Sequence, residues 1–145
     1  MSEINSILLI DDENLFHLVF EDACSILDIS LSLQSVTTAE EAEGMFKKYY
    51  EGSPGKPECV FVDLNIIGSS FDGIELVRRI NYQYGNGVVI GIISSSKDEI
   101  EMEKAKEAGA QFWIVKSHDI EPRLESFKKD LAGYKERSLP FKVYS

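Results

Sequence analysis

The sequence predicts an α/β fold in which a parallel five-stranded sheet lies between two layers of helices. Short apolar segments alternate five times with segments whose apolar residues recur every three or four positions. This alternation is typical of a parallel sheet with crossover helices. Several of the strand segments are apolar on both faces, as expected for strands that are covered on both sides.

The first unit combines a buried strand over residues 6–10 with an amphipathic helix. The strand segment "SILLI" is almost wholly apolar and runs directly into Asp11. Apolar residues then recur with helical spacing from Phe16 to Leu27. That period places them on one face of a helix, which would pack against the sheet.

The second unit joins a strand over residues 31–36 to a helix within residues 37–51. The segment "LSLQSV" alternates with the period of a strand. Thr38 and Glu41 have the spacing of a capping box, which predicts that the helix begins at this point. The following "GSPGKP" has the composition of a turn.

The third and fourth units repeat the pattern with strands over residues 58–63 and 88–93. Helical spacing follows over residues 74–84, and a charged helix is predicted over residues 97–108. Gly109 stands directly after that helix, in the position where glycine commonly ends a helix.

The fifth unit has a strand over residues 111–115 and a last helix that Asp119 could cap. We expect one domain over residues 1–133 and a tail over residues 134–145 that carries no effector domain. The tail could pack back on the domain, meet a partner or be disordered. Its apolar residues are Leu139, Phe141, Val143 and Tyr144.

Composition narrows the classes of function. The net charge is -10, whereas binding to nucleic acid phosphates requires clustered Lys and Arg. Cys24 and Cys59 form no metal-binding spacing, so we interpret them as buried, reduced residues. The polar N-terminus is unlike a signal peptide, and no apolar run reaches the roughly 18 residues of a membrane span. We therefore expect a cytoplasmic protein.

Charged and hydroxyl side chains follow four of the predicted strands. In a parallel sheet, the residues after the strands meet at one edge, where ligands bind. Carboxylates held together favour Mg²⁺, and one of them can act as a nucleophile toward a phosphoryl group. A lysine and a hydroxyl can then neutralise and bind the phosphoryl oxygens. These strand-end residues are Asp11, Asp12, Glu13, Asp63, Ser94 and Lys116.

This order of residues resembles the receiver domain of two-component response regulators over roughly residues 5–133. Ser94 precedes Lys116 by 22 positions, as in that family. The segments "FDGIEL" at 71–76 and "AGA" at 108–110 are also similar to the family pattern. The resemblance implies a flavodoxin-like, doubly wound (βα)5 fold with strand order 2-1-3-4-5.

The resemblance also implies a Mg²⁺ site. Asp12 would be the main ligand, with Asp11 and Glu13 alongside it. Asp63 and the backbone carbonyl of Asn65 would complete the protein ligands.

In the same way, the resemblance implies roles toward the phosphoryl group. Asp63 would be the phosphoacceptor, and Lys116 would pair first with Asp63 and then with the phosphoryl oxygens. Ser94 would reorient to hold the phosphoryl group, and Trp113 would be the aromatic switch residue that follows Ser94.

The function that the resemblance implies is that of a single-domain response regulator. A histidine kinase or histidine phosphotransfer protein would supply the phosphoryl group, and a downstream protein would receive the signal. Catalysis would be limited to self-phosphotransfer and autodephosphorylation, so we do not expect an enzyme in the usual sense. A homodimer through the 97–132 face is a further option.

The chain departs from the family pattern at two places. Ile67 stands where the family usually has proline, and the loop over residues 64–72 is two residues longer. Ser117 follows Lys116 where the family usually has proline after a cis bond. A cis bond before a residue other than proline costs about 3 to 4 kcal/mol, so the sequence leaves cis and trans open.

Three alternatives compete with this function. A flavin-binding protein would need a hydroxyl- and glycine-rich phosphate loop after the first strand, where this chain has carboxylates. A haloacid dehalogenase-type phosphatase would need an acid–x–acid pair and a cap insertion, and Asp11 with Glu13 is a poor match. A receiver-like interaction module that is not phosphorylated stays open, because of Ile67 and Ser117.

Overall fold

The computed structural model of the chain describes residues 6–29, 33–85 and 87–145. Strands and helices alternate along the described chain in an α/β, flavodoxin-like arrangement. Their bounds are β1 Ile7–Ile10, α1 Asn14–Ile26, β2 Leu33–Val36, α2 Ala39–Tyr50, β3 Cys59–Asp63, α3 Gly73–Tyr84, β4 Val89–Ser94, α4 Glu99–Ala108, β5 Phe112–Val115, α5 Glu121–Lys135 and β6 Lys142–Tyr144.

The strands form one parallel sheet in the order β2-β1-β3-β4-β5-β6. The predicted order of the first five strands is confirmed, but the prediction of a five-stranded sheet was wrong. The sixth strand comes from the predicted tail and pairs with β5, with Trp113 opposite Val143. Because β6 has only three residues, of which two are exposed, its sequence carries little strand signal. The predicted strand over residues 31–36 begins outside the described residues.

Helix ends follow the predicted signals in two cases and differ in a third. Thr38 Oγ1 accepts from the backbone N–H of Glu41, as the capping box predicts. Gly109 ends α4 in the left-handed conformation, with a φ of 106°. The prediction that Asp119 caps the last helix was wrong, because Ile120 takes that position. The backbone N–H of Asp119 instead donates to Ser117 Oγ, and Ile120 is buried.

Two apolar cores flank the sheet. On one face α1 and α5 cover the sheet, and the aromatic rings of Phe61, Phe112 and Phe127 contact one another there. On the other face α2, α3 and α4 pack around β-branched residues of the central strands. Each fully buried large side chain contributes about 1.5 to 3 kcal/mol, so both faces hold the sheet in place.

The parallel sheet brings the carboxyl ends of β1, β3, β4 and β5 to one edge. Asp63 closes β3 and Ser94 closes β4, while Asp11 and Lys116 directly follow β1 and β5. Among the described residues, no helix is both long and apolar enough to cross a membrane.

Candidate functional site

Three carboxylates converge at this edge of the sheet. Asp11, Asp12 and Asp63 can each direct one oxygen so that all three oxygens lie within 4.8 Å of one another. Asp11 is fully buried, Asp63 is nearly so and Asp12 is half-buried. Carboxylates held this close repel one another, so the cluster is electrostatically unfavourable unless positive charge lies beside it.

Lys116 supplies positive charge to the cluster. Its Nζ lies 2.6 Å from Asp11 Oδ2, 3.6 Å from Glu13 Oε2 and 3.7 Å from Asp63 Oδ2. Burial lowers the pKa of Lys116, but the hydrogen bond with Asp11 and the nearby carboxylates outweigh it, and the net pKa is raised. Lys116 is therefore charged and is closer to Asp11 than to Asp63 in this state.

The pKa of the Asp63 carboxyl group lies near neutral pH. Burial is the main cause that raises its pKa from 3.8 to about 7, and the charge of Asp11 adds to it. Lys116 opposes this rise. A buried carboxyl group with such a pKa beside specific charged partners is typical of functional sites.

Ser94 lies at the end of β4 in a network that reaches Trp113. The backbone N–H of Ser96 donates to Ser94 Oγ at 3.2 Å. The indole Nε1–H of the fully buried Trp113 donates to the carbonyl oxygen of Ser96 at 3.0 Å. Ser96 therefore links the hydroxyl group of the site to the core of the α4 side of the sheet.

The loop over residues 64–72 borders the site and is fastened to the start of α2. Ser69 Oγ accepts from the backbone N–H of Ala39 at 2.9 Å. Both the backbone N–H and the hydroxyl of Ser70 donate to Glu40 Oε2, at 2.9 and 2.8 Å. Ile67 is 76% exposed beside these anchored residues. The longer loop is thus held by specific hydrogen bonds.

Gly73 fixes how closely α3 approaches the site. A Cβ atom at this position would lie 2.1 Å from the backbone oxygen of Asp63. The N–H of Gly73 donates to Leu64 O at 2.9 Å. Glycine is therefore required here for close approach of the two backbones.

The donor set fits a hard divalent cation. Mg²⁺ takes oxygen ligands at about 2.0 to 2.1 Å, so opposite ligands lie roughly 4 Å apart. The three carboxylate oxygens have a separation compatible with this geometry. Asp11 Oδ2 is buried and makes no hydrogen bond within the described chain beyond its ion pair with Lys116. Asn65, whose carbonyl is a predicted ligand, is exposed at the rim.

Two residues of α1 belong to the site although they were not among the predicted site residues. The Lys116 ammonium lies 4.4 Å from the centre of the Phe16 ring. His17 Nε2 lies 2.5 Å from the carbonyl oxygen of Asp11, which can only accept, so Nε2 carries the proton. Phe16 could be found only as a core residue from its helical spacing, and no sequence signal distinguishes His17.

The structure brings the predicted strand-end residues together at one edge of the sheet. The acids of β1 and β3 lie around Lys116, and Ser94 closes the neighbouring strand. Trp113 is buried in the apolar core that α2, α3 and α4 cover. The Lys116–Ser117 peptide bond is trans, which answers the question that the sequence left open.

Comparisons with known proteins agree with this arrangement. The family model of the response regulator receiver domain matches residues 7–127. No curated protein matches the chain. Among solved structures, a two-component response regulator from Cytophaga hutchinsonii has 21% identity and a TM-score of 0.78, and the match covers 90% of this chain and 98% of that one.

Two further solved structures show the same likeness. A response regulator from Thermotoga maritima has 21% identity and a TM-score of 0.71, with 89% of this chain and 98% of that one covered. The phosphorylated cyanobacterial phytochrome response regulator RcpA has 17% identity and a TM-score of 0.72, with 94% and 96% covered. At such identities the likeness establishes the fold.

Proposed function

The chain belongs to the response regulator receiver domain family, and we propose that it accepts a phosphoryl group on Asp63 in a Mg²⁺-dependent reaction. The donor is a phosphohistidine of a sensor histidine kinase or of a phosphotransfer protein. One observation carries the proposal. The Asp63 carboxylate faces two further acids and lies 3.7 Å from Lys116 at the ligand-binding edge of the sheet.

The reacting group in this proposal is the carboxylate of Asp63. One of its oxygens forms a bond to phosphorus while the bond between phosphorus and the donor imidazole nitrogen breaks. The electron pair of that bond stays with the donor nitrogen, and because the other ring nitrogen of the donor carries a proton, the leaving group is neutral imidazole. The product is an acyl phosphate. Attack by water at phosphorus later breaks the bond between phosphorus and the Asp63 oxygen, which releases inorganic phosphate and regenerates the Asp63 carboxylate.

The residues around Asp63 hold the cation and control the charge. Asp11, Asp12 and Asp63, with the backbone carbonyl of Asn65, are the proposed Mg²⁺ ligands. When bound, Mg²⁺ supplies positive charge beside the phosphoryl oxygens. The exposed Glu13 lies 3.6 Å from Lys116 and adds negative charge that attracts a divalent cation.

Lys116 and Ser94 bind the phosphoryl oxygens in this proposal. Lys116 Nζ is within 4 Å of both Asp11 and Asp63, so a small movement transfers it from the first acid to the incoming group. Ser94 Oγ accepts a hydrogen bond from Ser96, which leaves its own proton available for donation.

The output follows from the bonds that Ser94 must give up. If Ser94 Oγ turns toward the phosphoryl group, its bond from Ser96 N–H breaks, and Ser96 also holds Trp113. Trp113 is thus the proposed switch residue. A downstream protein would bind the conformation of residues 97–132 that phosphorylation favours. A homodimer through the same face is also proposed. We expect residues 1–133 to suffice for phosphoryl transfer itself.

The experiment is intact-mass analysis after incubation with acetyl phosphate. We expect uptake of one phosphoryl group with Mg²⁺, none with EDTA and none in Asp63→Asn. Asp22→Asn, an exposed acid of α1, is the matched control and should be modified like the original chain. Lack of uptake in the original chain would favour the unphosphorylated interaction module.

A further inference from the structure

The sixth strand is held on the sheet by a small set of contacts. It pairs with β5 so that Lys142, Val143 and Tyr144 lie opposite Phe112, Trp113 and Ile114. Only Tyr144 of the three is buried. Because β6 is the edge strand, β5 is its one neighbour among the strands that the structure describes.

Tyr144 anchors β6, and its hydrogen-bond partners lie on α5. The Tyr144 hydroxyl donates to Asp130 Oδ2 at 2.6 Å and lies 2.7 Å from the Tyr134 hydroxyl. Lys142 Nζ adds an ion pair with Asp130 at 2.8 Å. Tyr134 and Asp130 belong to α5 and not to the β6 segment, so they would bind the same segment from any copy of the chain.

The connection between α5 and β6 contains backbone strain. Arg137, just after α5, has a φ of 55°, in the left-handed region that glycine normally occupies at this position. Pro140 stiffens the connection and offers no N–H for hydrogen bonding. Opening of this connection would allow Arg137 to leave its strained conformation.

We propose that β6 exchanges between two copies of this chain. Residues 139–145 of one copy pair with β5 of the other, and the reciprocal pairing closes the dimer. The exchange re-forms the same strand register and the same bonds to Tyr134 and Asp130 and relieves Arg137. This inference does not depend on phosphoryl transfer to Asp63.

A second copy is the partner that fits, because the edge of β5 is already complementary to this segment. The four residues of β5 are Phe, Trp, Ile and Val, and an uncovered apolar edge strand pairs readily with other chains. Strand exchange is a low-cost route to a dimer, since it creates few contacts that the monomer lacks.

The test compares two substitutions of the hinge residue in the full chain. Both Arg137→Gly and Arg137→Ala remove the hydrogen bond from Arg137 to Val88 O. Only glycine also removes the strain at positive φ. Each chain is refolded at micromolar to millimolar concentration, and light scattering should then show a dimer fraction that rises with chain concentration. Arg137→Gly should contain several-fold less dimer than Arg137→Ala.

A second measurement separates exchange from association of intact surfaces. An excess of the peptide LPFKVYS, which is residues 139–145, should compete for β5 and lower the dimer fraction during refolding. The matched peptide with the Tyr144→Phe change lacks the hydroxyl and should compete several-fold less. A chain that stays monomeric at millimolar concentration would overturn the proposal. So would dimers that are equal in both hinge variants and insensitive to the peptide.

Discussion

At the scale of single residues, Asp63 combines burial with a nearby like charge. Both raise its pKa to about 7, and Lys116 offsets only part of the effect. The folded chain therefore holds a proton on Asp63 more tightly than the unfolded chain does. Below pH 4 this group contributes its full stabilisation, which is lost as the pH rises through 7.

This loss of stability with rising pH leads to a prediction for Asp63→Asn in the presence of EDTA. The neutral amide has no charge to desolvate, so the variant should be more stable than the original chain near pH 8, by roughly 2 to 4 kcal/mol at about 1.4 kcal/mol per pKa unit. The difference should shrink toward zero near pH 4. Urea unfolding across this range measures it, and Asp22→Asn serves as the control. A difference independent of pH would contradict desolvation of the Asp63 charge as its cause.

Gly73 leads to a second prediction at this scale. Gly73→Ala places a Cβ atom against the backbone oxygen of Asp63, so we expect a loss of about 2 kcal/mol or more in the free energy of unfolding. Gly44→Ala is the matched control, because Gly44 lies in a helix with open space around it. That substitution should stabilise the chain by about 0.5 to 1 kcal/mol. Equal effects of the two substitutions would show that the close approach at Gly73 carries no steric cost.

The residue types of the site could be predicted from the sequence, but not their pairing. Hydrophobic strands that end in Asp11, Asp63, Ser94 and Lys116 indicate which residues meet at the sheet edge. The closer contact of Lys116 with Asp11 depends on differences of about an ångström between side chains. Such differences follow from packing, which no sequence period encodes.

At the scale of elements, the loop over residues 64–72 is an ordered connection between the site and α2. Ser69 acts as an additional N-terminal cap for that helix, because it accepts from Ala39 N–H while Thr38 accepts from Glu41 N–H. A change at the rim of the site can therefore reach α2 through hydrogen bonds.

Removal of this cap should be measurable. Ser69→Ala leaves the backbone N–H of Ala39 without its acceptor, so we expect a loss of about 1 kcal/mol in the free energy of unfolding. Amide hydrogen exchange at Ala39 should become faster. Ser53→Ala, at an exposed turn, should change neither quantity. Unchanged exchange at Ala39 in Ser69→Ala would show that the loop does not hold α2.

Elements with a strong period or a clear cap could be predicted, whereas short edge elements could not. The capping box of α2 and the glycine that ends α4 act locally, so the sequence reveals them. The strand β6 depends on distant partners, since Tyr144 binds Asp130 and Tyr134 on α5. Ile120 takes the N-cap position of α5 in place of Asp119 for a similar reason, because its side chain is buried in the core.

At the scale of the whole molecule, one sheet separates two apolar cores. Phe46 lies in the core covered by α2, α3 and α4, and Phe127 lies in the core covered by α1 and α5. Because the same central strands contribute side chains to both cores, we expect the two layers to unfold together.

Truncation of one large residue on each side tests this cooperativity. Phe46→Ala and Phe127→Ala should each cost about 3 to 5 kcal/mol, because each leaves a cavity in a close-packed core. Each variant should still unfold in a single transition, with coincident near-ultraviolet and far-ultraviolet circular dichroism. Two separate transitions in either variant would show that the cores are independent.

The central claim is that Asp63 takes the phosphoryl group, and borohydride trapping tests it most directly. After reaction with acetyl phosphate and Mg²⁺, borohydride reduces an aspartyl phosphate to homoserine, which peptide mass spectrometry locates in the sequence. We expect homoserine at position 63 and nowhere else. Homoserine at position 11 or 12, or an unmodified Asp63 in a fully folded chain, would contradict the claim.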